Sequence, residues 1–272
     1  MTQSVHDSFD VKGLQERLAD LSLGRPFYYF ETIGSTNTFL RTLPPEQVRP
    51  GMLALADHQT KGRGQFHRRW CDSPGQSLLF SILLEASRPP SLWPLLTLGA
   101  AGSISRTLER GGVTEPRIRW PNDIVIGDRK VCGLLTEKAS APETLVLGVG
   151  LNVHQQLGDF PPNVQGSAGS LRLAAERPWN RADLLVAFLS DFEIVYHRWQ
   201  DEQDAILLGE CRRRMSTLGC HVCLHSHGRC VEGIVMDLDG DGSLVLREPS
   251  GIVSRWHSGE VEEIRWETES QG

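Results

Sequence analysis

The sequence predicts an α+β protein in two unequal parts, and three features carry that prediction. Apolar runs of strand length alternate with long stretches of helical periodicity between about residues 27 and 200. From about Thr217 the pattern gives way to four or five short strands parted by tight turns at SHGR, DGDG and EPSG. That tail, roughly 50 residues long, has the size of a small, partly closed SH3-like barrel. A chain of 272 residues is long enough for one large domain plus such a small one.

The elements follow in order. Val11, Leu14, Leu18 and Leu21 stand at helical spacing and predict a short amphipathic helix over 11–22, too short for a DNA-binding domain. PFYYFETI reads as a strand, and GSTNTFLRTL as a turn into a helix that starts on hydroxyl and amide side chains. GMLALADHQ is a buried strand, SLLFSILLE another, and WPLLTLGAAGSISRTLERGG a long helix ending at Gly111 and Gly112. RIRW precedes a Pro-Asn-Asp break and a hairpin, IVI then KVCGLLTEK, turning at GDR. ETLVLGVGLNV is one more strand, and HQQLGDFPPNVQGSAGS a Gly/Pro-rich loop. Leu184, Leu185, Phe188, Phe192 and Val195 mark a helix over 181–200.

Bulk properties narrow the function. Hydrophobic content of 39% and charged content of 23% are those of an ordinary soluble protein. With 28 basic against 34 acidic residues the net charge is −6, which argues against a nucleic-acid protein with a positive body. MTQSVHDSFD lacks the basic flank and apolar core of a signal peptide, and no apolar run reaches membrane-spanning length. Six cysteines without an export signal fit a reducing cytoplasm better than a disulfide framework.

Two motifs invite a metal. DLDGDGSLVLRE matches the calcium-loop pattern at Asp237, Asp239, Asp241, Gly242 and Glu248, but its flanks are strand-like where that loop needs helices. CHVCLHSHGRC offers three cysteines and three histidines. In a strand Cys220 and Cys223 point to opposite faces, which favours oxidation-prone thiols over structural zinc. No resident metal is expected.

TKGRGQFHRRW, residues 60–70, is the stretch with chemical promise. Gly62 and Gly64 let the backbone approach a ligand, Arg63 supplies a planar fork for phosphate or carboxylate, and Trp70 presents an aromatic face. The run is neither a Walker loop nor a dinucleotide fingerprint. Its companions are Ser35, Thr36 and Asn37 at a helix start, Arg119 before Pro-Asn-Asp, and the glycines of GVGLNV at a strand end. Taken singly, these are a helix cap, a turn and close strand packing.

The order GSTN, HQTKGRGQFHRRW, RWPNDI with GDRKVCGLLTE, GVGLNV and then a small β unit resembles the biotin protein ligases from about residue 28 to the end. The resemblance implies a mixed sheet backed by helices, like the class II aminoacyl-tRNA synthetase/biotin ligase catalytic domain, with an SH3-like C-terminal domain. It implies an N-terminal leader over 1–25, a catalytic domain over 26–213 and a β domain over 214–267, the monofunctional type without a DNA-binding domain. The implied activity is ATP-dependent biotinylation of a lysine on a biotin carboxyl carrier domain through biotinyl-5'-AMP, with Mg²⁺ entering on ATP. The implied setting is cytoplasmic, without nucleic acid or membrane, and with self-association as a homodimer. Other readings are a non-catalytic biotin or adenylate binder, or a lipoate/octanoate transferase.

The resemblance also assigns residues. Ser35, Thr36, Asn37 and Gln59 would hold the ureido head of biotin, and Gly62, Arg63, Gly64 and Gln65 would fold over biotin and the adenylate. Gly133 and Gly150 would line the biotin pocket, while Trp70 and Asn152 would lie near the adenine. Arg119 and Arg63 would be the catalytic cations, Arg119 standing where the family pattern has lysine. Gln65 and His67 depart from the family's GRGRxGRxW, thinning the positive charge and stiffening the loop.

Overall fold

The computed structural model describes residues 8–263 apart from Glu176, His227 and the side chain of His67. Seven strands form one mixed sheet: β1 (Phe27–Ile33), β2 (Leu53–Gln59), β3 (Ser77–Glu85), β4 (Pro116–Arg119), β5 (Asp123–Ile126), β6 (Arg129–Lys138) and β7 (Thr144–Asn152). Their spatial order is β1-β2-β3-β7-β6-β5-β4. Only β1 and β2 run parallel; the other neighbours are antiparallel. β7 is buried along its whole length between β3 and β6, consistent with its unbroken apolar run.

The helices are α1 (Val11–Arg17), α2 (Thr36–Arg41), α3 (Trp93–Arg110), the single turn α4 (Leu171–Ala174), α5 (Arg181–Gln200) and α6 (Asp204–Arg214). Helix α1 stops four residues short of Leu21, because the backbone N–H of Leu18 turns back onto Leu14 and Glu16. Asp10, Ser35 and Asn180 cap α1, α2 and α5 through their side chains, each taking an otherwise unpaired N–H. Small residues in the middle of α3 bring α5 close: a Cβ on Gly99 would stand 2.8 Å from Val195. The sequence gives no clear sign of α6, whose only buried residues are Leu207, Leu208 and Cys211.

The tail forms a second, five-stranded antiparallel sheet: β8 (His221–Ser226), β9 (Arg229–Leu238), β10 (Leu244–Arg247), β11 (Val253–Trp256) and β12 (Glu260–Glu263), ordered β11-β10-β9-β8-β12. It is compatible with an SH3-like domain, and β9 turning directly into β10 removes the calcium loop. One apolar core runs through both sheets. The indole N–H of Trp120 reaches across to the carbonyl of Gly242 at 3.0 Å. Among the described residues no helix is long and apolar enough to cross a membrane.

The six cysteines depart from expectation at one place. Cys223 and Cys230 are joined as a disulfide. Cys223 faces Glu232 and His225 faces Cys230 across the β8–β9 ladder, so the two thiols are diagonal neighbours on one face. Sequence spacing alone does not reveal that register.

Candidate functional site

A cavity of about 770 Å³ opens where α2, the 60–70 loop and the ends of β4–β7 meet, with β12 at its rim. Ser35, Thr36, Asn37, Gln59, Arg63, Gly64, Gln65, Trp70, Arg119, Gly133, Gly150 and Asn152 all line it, so segments distant in sequence converge on one space. Gly62 does not. It stands behind the wall, where a Cβ would come 2.5 Å from the Trp70 carbonyl, and its role is to let the loop fold back on itself.

One end of the cavity is a buried polar chain. Gln59 Oε1 accepts from the Thr36 backbone N–H at 2.8 Å and from its hydroxyl at 3.0 Å. Thr36 Oγ1 meets Ser81 Oγ at 2.7 Å, and Ser81 Oγ donates to Asn37 Oδ1 at 2.6 Å. Asn37 Nδ2 donates to Glu137 at 3.1 Å, and Arg63 donates to the other oxygen of that carboxylate at 2.8 Å. The whole row is thus one connected network whose members fix one another.

The other end has a flat floor. Gly133 and Gly150 pair directly across β6 and β7, and the Trp70 indole lies on them. A Cβ would approach the ring to 3.0 Å at Gly133 and 2.6 Å at Gly150. The sequence expectation put a ligand against these glycines; here the indole is their immediate neighbour. Its Nε1–H is buried without an acceptor among the described residues. Asn152 is also committed: its amide donates to Gly169 at 2.9 Å and accepts from Gln155 at 3.2 Å, tying down the 154–170 loop.

Cations surround this floor. Lys130 Nζ lies 5.8 Å from the Trp70 ring centroid and 2.7 Å from Asp123 Oδ1. Burial pushes the Asp123 carboxyl up, with Lys130 and Arg119 pulling against it. Arg119 lines both this cavity and an adjoining cleft that carries Arg68, Asp128, His225 and Glu260. Arg68 forks onto Glu260 of β12, so the loop is fastened to the second sheet. At the loop's other end Asp72 accepts from the Gln59 backbone and meets His58 Nδ1 at 2.8 Å; burial raises its carboxyl pKa despite both contacts.

Sequence reasoning passed over Ser81, Glu137, Lys130 and Gly148. Ser81 had one signal, a hydroxyl in the middle of an otherwise apolar strand. Lys130 sits in a hairpin and Glu137 at a strand end, positions where charge is ordinary.

A mixed sheet whose glycine floor and ring of cations face one cavity, joined to a small β sheet, is the architecture of enzymes that activate and transfer a small carboxylic acid. The model of the biotin/lipoate A/B protein ligase family matches residues 29–153 of this chain. The biotin–[acetyl-CoA-carboxylase] ligase of Mycobacterium tuberculosis is 29% identical over 245 residues, covering 87% of this chain and 89% of that protein. A bifunctional ligase/repressor of Bacillus subtilis is 28% identical over 243 residues, covering 88% and 74%. The biotin protein ligase from Aquifex aeolicus, solved in complex with biotin and ATP, superposes with a TM-score of 0.76 at 27% identity, covering 88% of this chain and 98% of that one.

Proposed function

We propose that the protein joins biotin to ATP as biotinyl-5'-AMP and then passes the biotinyl group to a lysine of a biotin carboxyl carrier domain. The observation that carries this reading is one cavity with a polar hydrogen-bonding end, a glycine-and-tryptophan floor and a wall that includes the cations Arg63, Arg119 and Lys130. The Ser35–Thr36–Asn37 helix start with Gln59 suits a small urea-like head, which needs both donors and acceptors. The floor suits an acyl chain and a base, and the unpaired Trp70 N–H is a donor held ready for a ligand.

The first step brings a carboxylate against an α-phosphate, two anions whose repulsion must be offset. Arg63, Arg119 and Lys130 supply that positive charge, and Mg²⁺ enters as part of the nucleotide substrate. Arg63 rests on Glu137 in this arrangement, so a bound anion competes with that carboxylate for it. The loop, held by Arg68 and Glu260, screens the mixed anhydride from water until a carrier lysine arrives. No group on the protein need become acylated.

The leader over 1–25, the catalytic domain over 26–213 and the β domain over 214–267 belong to this reading, residues 1–7 and 264–267 lying outside the described ones. So do a cytoplasmic setting and pairing of two copies through the catalytic sheet, which sedimentation analysis reads directly. The test of function is incubation with ATP, Mg²⁺, biotin and a carrier domain, followed by the mass of the acceptor. A carrier that gains one biotinyl group, with pyrophosphate released, is the expected result. No pyrophosphate would mean a binder only, and transfer of lipoate in preference to biotin would mean the wrong acid.

A further inference from the structure

The outward face of β8 carries a cluster that the ligase reading does not use. Cys223 and His225 are two residues apart on one strand and therefore share a face. Across the ladder on one side, Cys230 stands opposite His225 and Glu232 opposite Cys223. On the other side, Glu262 stands opposite Cys223 and Glu260 opposite His225. Val222 and Leu224, which alternate with them along the strand, point the other way into the core. The ligating atoms of Cys223, His225 and Cys230 all lie within 4.8 Å of one another. His225 Nε2 is 3.2 Å from Cys223 Sγ and 3.4 Å from Glu262 Oε2, so the imidazole faces a sulfur and a carboxylate together.

We propose that, when both thiols are reduced, Cys223, Cys230 and His225 bind one zinc ion with Glu262 as the fourth ligand. Two sulfurs, one imidazole and one carboxylate from three adjacent strands make a tetrahedral set of the kind zinc selects. Zinc–ligand bonds of about 2.0–2.3 Å place neighbouring ligand atoms roughly 3.3–3.8 Å apart in a tetrahedral site, close to the separations of at most 4.8 Å already present among Cys223, His225 and Cys230. Two thiolates with Glu262 over-neutralise the dication, as zinc sites of this composition do. The Cys223–Cys230 disulfide and the zinc site are mutually exclusive states of the same sulfurs. A phosphine or dithiol supplies two electrons, the S–S bond becomes two thiols by uptake of two protons, and zinc displaces those protons as two Zn–S bonds form. In the zinc state β12, which also carries the Glu260 anchor of the glycine-rich loop, is stitched to β8 and β9.

The earlier pair, Cys220 with Cys223, is not this site: Cys220 precedes β8 and its thiol lies toward the carbonyl of Ser216. The experiment titrates Co²⁺ into the full chain, reduced with a phosphine that is then removed. One equivalent should give a near-ultraviolet sulfur-to-cobalt band with tetrahedral visible bands, and Zn²⁺ should abolish both. Oxidation with diamide should remove the signal. Cys230→Ser and His225→Ala, both at exposed positions, should each weaken cobalt binding at least about tenfold, since even loss of an outer-shell partner costs that much. A reduced chain without the sulfur band would overturn the proposal, as would a band that survives diamide. A band unchanged in both variants would place the metal on other thiols and overturn it equally. Should Cys230→Ser lose its circular dichroism signature, His225→Ala decides alone.

Discussion

Gly148→Ala is the substitution whose consequence the geometry specifies most fully. Gly148 lies between Ser81 of β3 and Leu135 of β6, and a Cβ there would stand 2.0 Å from Asn37 Oδ1 and 2.7 Å from its Cγ. Asn37 is buried, so the amide has to retreat by more than about 1 Å to reach ordinary contact. Retreat breaks the bond from Ser81 and the bond to Glu137, leaving buried polar groups without partners. At about 1–3 kcal/mol for each unsatisfied group, the variant loses roughly 2–6 kcal/mol, a large share of a typical domain's stability. Urea unfolding measures that loss. The clash has one author, so Asn37→Ala in the same chain should relieve it, and the double-mutant cycle should show a favourable coupling of about 1–3 kcal/mol. Gly166→Ala, at an open position with nothing within 4 Å, serves as the neutral control. If Gly148→Ala unfolds at the same urea concentration as Gly166→Ala, or if the cycle shows no coupling, the reasoning about this network is wrong.

Three further outcomes follow from the same geometry. Arg119→Ala and Lys130→Ala should each keep the fold and lower the rate of biotin- and ATP-dependent pyrophosphate release by about 10²–10³-fold, the usual cost of removing one charge-stabilising donor; unchanged turnover in either refutes its assigned role. Lys130→Ala also leaves the half-buried Asp123 carboxyl without its nearest cation, so adding Asp123→Asn should recover stability in urea while turnover stays low. For Glu260, hydrogen bonds from Arg68 hold the carboxyl below its ordinary value near 4.5. A depressed carboxylate contributes stability that is complete above the unfolded value and is lost as pH falls through the folded one. Because the pair is largely exposed, Glu260→Gln should cost less than about 1 kcal/mol at pH 7. Its melting temperature should converge on that of the parent only as pH falls through the lowered folded-state value, and calorimetry showing a gap independent of pH would rule this out.

Much of the fold was legible because each strand and helix announces itself over neighbouring residues. FYYFETI, LALADHQ and SLLFSILLE became β1, β2 and β3, and the 181–200 periodicity became α5. Helix α6 was not, because DAILLGECRRR has too few apolar positions to display a face and owes its place to packing on α3 and β9. The insertion of β7 between β3 and β6 is a long-range pairing that no local pattern encodes. The same divide runs through the site. Ser35, Thr36, Asn37 and Arg63 sit on turns and helix starts, where their residue types are conspicuous. Lys130 acquires significance only because the hairpin swings it over Trp70, and the thiols of Cys223 and Cys230 meet only through a diagonal across two strands.

A gradient along β7 separates the parts of the site that hold the fold from those that serve a ligand. Leu145, Leu147, Val149 and Leu151 all enter the helix-side core. The alternate positions face α2 and the cavity, and they change in steps: Val146 packs with Leu40 and Leu83, Gly148 lies under Asn37, Gly150 lies under Trp70, and Asn152 ties down a loop. Moving along that face, the residue above each position goes from apolar core, to buried polar network, to a ring at the edge of open space. Gly150→Ala should therefore differ from Gly148→Ala in kind. Its Cβ would meet Trp70 Cε2 at 2.6 Å, but the half-buried indole can swing into the cavity without breaking a hydrogen bond. The expected loss in urea is under about 1.5 kcal/mol, in the range of tolerated repacking, whereas affinity for biotin and ATP by calorimetry should fall because the displaced ring fills their space. Equal destabilisation by the two alanines, or undiminished ligand affinity in Gly150→Ala, would mean that Trp70 belongs to the core and that the floor beneath it is not a binding surface.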